Sequence, residues 1–152
     1  MVQILLEQEA VNPDKPDNYR RTPLSYAAWH GREEAVKILL GRGEVDPNQP
    51  DDDGRISLSY AAGEGYEGVV NMLLTRGEIN PDRSCESGQT PLWFASWYGN
   101  EGVMKILLGQ EEVNPDRPDI YGRTPLSTAT RSGREMIVAL LESHKVATPA
   151  TI

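Results

Sequence analysis

Apolar positions recur along the chain as pairs of short stripes, separated by polar breaks that carry Gly and Pro. In the stretch from Gly88 to Leu108, Leu92, Ala95 and Ser96 stand at i, i+3 and i+4, one narrow face of a short helix. Their small size lets a second helix approach closely. Val103, Met104, Leu107 and Leu108, at i, i+1, i+4 and i+5, form the apolar stripe of that second helix. The ends are marked too. Thr90 is placed to cap the free N–H groups of a helix opened by Pro91, whose missing N–H costs nothing at that position. Gly88 suits a tight turn before the helix, Gly99 ends it, and Glu101 sits beside the positive end of the next helix dipole.

The same pattern returns at a shift of 34 residues. Leu24/Leu58/Leu92/Leu126, Ala27/Ala61/Ala95/Ala129, Gly31/Gly65/Gly99/Gly133, Glu33/Glu67/Glu101/Glu135 and Leu39/Leu73/Leu107/Leu141 are identical in every copy. The division is a half repeat at 1–16 followed by full units at 17–50, 51–84, 85–118 and 119–152. Asn-Pro-Asp or Asp-Pro-Asn loops join them, Pro stopping each second helix. The half unit lacks its first helix, so the expectation is a natural chain continuing upstream, the alternative being an N-terminal cap helix that covers the first apolar face. The expected architecture is a quasi-one-dimensional stack of helix pairs rather than a single globule. Three irregularities carry expectations. Arg20 occupies the turn Gly position and should be strained. Ile56-Ser57 replace Thr-Pro and should soften the second unit. Ser143 to Ile152 reads as a frayed tail.

A net charge of −8 opposes binding to nucleic acid or to anionic membrane. The single Cys85 cannot form an internal disulfide, no zinc-ligand spacing exists, and no run is long enough for a signal peptide or a membrane span. The expectation is a monomeric cytoplasmic protein without cofactor or metal. No enzyme chemistry is legible either. His30 and His144 lie three units apart, Gly63-Glu64-Gly65 is a helix end, and Asp51-Asp52-Asp53-Gly54 is a solvated turn without the later Glu of a calcium loop.

Asp119-Ile120-Tyr121-Gly122-Arg123-Thr124-Pro125-Leu126-Ser127 resembles the ankyrin-repeat signature, a turn followed by two helices. The resemblance covers essentially the whole chain. It implies an all-α ankyrin-repeat α-solenoid of helix-turn-helix units with hairpin tips. The nearly identical units and Val-Asn-Pro-Asp loops are similar to arrays at the ends of fungal innate-immunity-type receptors. Ser25, Ser59, Trp93 and Ser127 stand where that family usually has His, so its hydrogen bonding between loops is reduced.

The resemblance further implies a partner-binding concave face built from hairpin tips and the exposed side of the first helices. Its residues here are Tyr19, Arg21, Trp29 and His30 in the first unit, Asp52, Asp53, Arg55 and Glu64 in the second. Glu86, Gln89, Trp97 and Tyr98 follow in the third, and Tyr121, Arg123 and Arg131 in the fourth. Aromatics gather on or beside this set while the invariant positions are aliphatic or small, and Trp, Tyr and Arg dominate binding energy at interfaces. Tyr26, Tyr60 and Phe94 fit equally a ladder along the stack. Acidic residues in the middle of the face call for a partner with a basic or polar centre. The leading expectation is a non-enzymatic module that binds another protein, within a larger receptor or signalling protein. The alternative is a structural or regulatory spacer docking on another domain of the same chain.

Overall fold

A computed structural model describes residues 12–147. The expected half repeat therefore lies largely outside the described residues, as does the end of the tail from Thr148 to Ile152. The described residues form eight helices and no strand: α1 (Pro23–Trp29), α2 (Glu33–Leu40), α3 (Ser57–Glu64), α4 (Glu67–Thr75), α5 (Pro91–Tyr98), α6 (Glu101–Leu108), α7 (Pro125–Arg131) and α8 (Glu135–Ala147). Each odd-numbered helix packs on the even-numbered one that follows it. First helices stack on first helices (α1, α3, α5, α7) and second on second (α2, α4, α6, α8). The result is an α-solenoid of helix pairs.

Local chemistry explains the helix boundaries. The Thr22, Thr90 and Thr124 hydroxyls accept the N–H groups of Ser25, Trp93 and Ser127, and Pro follows each cap. α3 lacks this cap, because Ile56 offers no side-chain acceptor. Ile56 is instead fully buried. Burying such a side chain contributes about 1.5–3 kcal/mol, against about 1 kcal/mol for a lost cap. The burial of Ile56 thus offsets the missing cap. At the other end of the first helices, the carbonyls of Ala27, Ala61, Ala95 and Ala129 accept N–H groups from Arg32, Tyr66, Asn100 and Arg134 and turn the chain into the second helix.

Between layers the invariant aliphatics do the joining. Leu58, Leu92, Ala61, Ala95, Leu73 and Leu107 have no exposed surface, and Leu24, Leu39 and Leu141 almost none. Carboxylates add a second link: Glu67 lies directly against Gly102 of the next unit and Glu33 against Gly68, each beside the positive end of a neighbouring helix. The loops are tied as well. Asn48 donates to the Glu78 carbonyl and accepts from the Asn80 N–H, and Arg117 reaches back to Asp82. The expected tail needs correction, since α8 is helical through Ala147. Its last turn carries His144 and Lys145, which suit the negative end of the dipole, and Lys145 pairs with Asp116 at 2.7 Å.

Candidate functional site

The hairpin tips lie between units, each ahead of a first helix. In each, the chain closes on itself through an N–H to carbonyl bond: Asp17 to Arg21, Asp51 to Arg55, Cys85 to Gln89 and Asp119 to Arg123. Neighbouring tips are then linked by a single backbone bond, Asp52 donating to Tyr19, Glu86 to Asp53 and Ile120 to Ser87, at 3.0, 2.9 and 3.1 Å. The turn glycines make this approach possible. Gly54 and Gly88 have φ of 79° and 76°, and a Cβ on either would come within 2.9 Å of the backbone nitrogen of the next tip. Arg20 takes the same left-handed conformation at φ 59°, as expected from its position.

A carboxylate clamps most tips from within. Asp17 accepts the N–H groups of Tyr19 and Arg21 on one oxygen and the Arg21 guanidinium on the other. Asp51 with Asp53 and Arg55, and Asp119 with Tyr121 and Arg123, repeat the arrangement. Burial raises the Asp119 carboxyl, but hydrogen bonds from the Arg123 guanidinium and from the Arg123 and Tyr121 amides outweigh it and leave the group below its ordinary range. Asp17 is lowered by the same contest between burial and the Arg21 and Tyr19 donors. Burial and a hydrogen bond to Asp51 push the Tyr60 phenol well up. Arg21, Arg55 and Arg123, expected at the binding face, are thus held by carboxylates of their own tips. Each guanidinium also lies over rings: Arg21 over Tyr19 and Tyr26, Arg55 over Tyr60, Arg123 over Trp93 and Tyr121.

The third tip departs from this scheme at both ends of the clamp. Cys85 replaces the Asp and Gln89 the Arg, leaving a weak Sγ–H contact to the Gln89 amide oxygen at 3.8 Å. The clamp was legible as an Asp and an Arg four residues apart in three units, exchanged together in the third. Taken one at a time, the tip residues do not reveal it.

Along the first helices the aromatics fall into two groups. Trp29, half-buried, stacks on His30 at 5.1 Å and reaches Tyr60 of the next unit at 5.6 Å. Trp93 stacks on Trp97 at 5.4 Å with the planes 10° apart and meets Phe94 edge-on. Trp93 is buried, and its indole N–H has no hydrogen-bond partner among the described residues. Tyr26, Tyr60 and Phe94 are half-buried. Trp29 is what joins Tyr26 to Tyr60, its ring 6.2 Å from the first and 5.6 Å from the second.

Exposure separates the expected site residues. Tyr19 (63%), Tyr98 (54%) and Tyr121 (70%) stand out from the surface, and Trp97 (38%) is partly covered by its stack. His30, Asp52, Asp53, Glu64, Glu86 and Arg131 are exposed, and Gln89 is half-buried. Asp53 pairs with Arg55, whereas Glu64 enters no hydrogen bond or ion pair among the described residues. The arrangement offers ring faces, amide edges and unpaired carboxylates.

A family model described as "Ankyrin repeats (3 copies)" matches residues 1–51, 39–119 and 58–149. No curated protein matches the chain.

Proposed function

The chain belongs to the ankyrin-repeat family, whose repeats are generally protein–protein interaction modules, and from that premise we propose that it recognises a protein partner on a concave face formed by hairpin tips and first helices. In this reading it is the recognition part of a larger receptor or signalling protein. One observation carries the proposal: aliphatic and small side chains fill the stack, while Tyr19, Trp97, Tyr98 and Tyr121 remain exposed on the tips and first helices. Large aromatic side chains bury much area with few rotors, so they supply affinity. Exposed ion pairs at the rim contribute roughly 0–1 kcal/mol each and serve orientation and association rate.

The test is capture from an extract of the source cells by the immobilised protein and by a Tyr98→Ala, Tyr121→Ala variant. Capture of at least one protein by the original chain, falling about tenfold in the variant while the melting curve stays in place, supports the reading. Identical capture by both counts against it.

A further inference from the structure

Resting on that reading, we propose that the surface at the half-buried Gly63 and the exposed Glu64 is a subsite for a cationic side chain, arginine or lysine, of the partner. The equivalent position in the four first helices is held by Trp29, Gly63, Trp97 and Arg131. Gly63 therefore leaves the row without a side chain between two tryptophans. Side chains of the next unit's first helix lie against it. A Cβ on Gly63 would lie 3.6 Å from the Tyr98 ring and 3.8 Å from the Phe94 Cβ. On its own helix, Tyr60 stands one turn before Gly63 and carries the Trp29 ring at 5.6 Å. The next residue, Glu64, is exposed and unpaired among the described residues.

The Tyr98 ring beside Gly63 and a carboxylate on the next residue favour positive charge, because aromatic rings attract cations and Glu64 attracts them further. An acidic side chain would be repelled by Glu64 and by the chain's net charge of −8. The protein already uses this chemistry internally, placing Arg21 over Tyr26 at 4.8 Å and Arg55 over Tyr60 at 5.0 Å. Those arginines are neutralised by Asp17, Asp51 and Asp53 and so do not compete for Glu64. Arg131, which has no ion-pair partner among the described residues, stands at the equivalent position two units further along.

The experiment selects binders to the full chain from a random-peptide library displayed on phage, then titrates synthetic copies calorimetrically. Selected peptides are expected to carry an Arg or Lys whose replacement by citrulline or norleucine weakens binding about tenfold. Gly63→Leu, which fills the subsite, should weaken them comparably. Gly63→Ala, whose Cβ makes only ordinary contacts, should not. Glu64→Gln, at an exposed position that leaves folding intact, should weaken them several-fold, with the difference shrinking in high salt. Peptides without basic residues that lose binding in Tyr98→Ala would overturn the cationic subsite and leave the wider reading standing. Basic peptides indifferent to both Gly63→Leu and Glu64→Gln overturn the subsite. Peptides indifferent to these and to Tyr98→Ala contradict both readings.

Discussion

Asp119 does three things at once with one carboxylate: it fixes the Tyr121 and Arg123 amides, holds the Arg123 guanidinium, and remains charged in a buried place. Removing it as Asp119→Ala orphans those donors and should cost about 1–3 kcal/mol at neutral pH, read by urea denaturation. The sign of its pH dependence is fixed by the direction of its shift. A carboxyl held below its ordinary value stabilises the fold above that ordinary value, and the contribution is lost as pH falls through the depressed one. The difference between the original chain and Asp119→Ala should therefore shrink on acidification below about pH 4. Arg20 offers the opposite case. Its left-handed φ of 59° suits glycine, so Arg20→Gly should raise stability by up to about 1 kcal/mol in a thermal melt, after allowing for the freer unfolded chain. The strain at Arg20 was legible because three other units carry Gly at that position. The fate of Arg21, Arg55 and Arg123 was not: a residue type that dominates interfaces is, in this chain, first a partner of its own Asp, and only the pairing four residues apart reveals it.

At the level of elements, the tips matter as much as the helices. Gly88→Ala would place a Cβ against the Ile120 N–H that bonds Ser87 and would force a non-glycine residue to φ 76°. A loss of about 1–3 kcal/mol is expected, measured by denaturation. Gly122→Ala has the same backbone demand and no following tip to strike, so it should cost less. Helix positions were legible because each signal repeated: Thr-Pro openings, Ala and Leu at fixed offsets, Gly closing the first helix. Two elements depart from the local pattern where the repeat breaks. The second unit lost its Thr cap, yet Ile56 in that place is buried, a tertiary gain that no local rule contains. At the end of α8, the segment from Ser143 onward, with Thr148-Pro149-Ala150-Thr151, reads as a frayed tail. The Lys145–Asp116 pair and favourable charge at the helix end extend the helix to Ala147 instead.

Across the whole molecule, the helices join within a pair and between adjacent pairs. Stability is then approximately a sum over units and the interfaces between them, and damage at one interface stays local. That organisation leaves the exposed edge of the first helices free to vary without endangering the stack, which is where Trp29, Gly63, Trp97 and Arg131 differ at one equivalent position. The fold and the sorting of side chains were readable from period and chemistry. The covered state of Trp93 was not, because it stands where three units have Ser. The most direct test of this division measures stability and partner capture together on Leu107→Ala and Tyr98→Ala. Leu107 is fully buried and Tyr98 is 54% exposed. Leu107→Ala should lose about 2–5 kcal/mol of stability and, while still folded, keep its partner. Tyr98→Ala should stay within about 1 kcal/mol and lose capture about tenfold. Comparable destabilisation by both, or capture by Tyr98→Ala equal to that of the original chain, would contradict it.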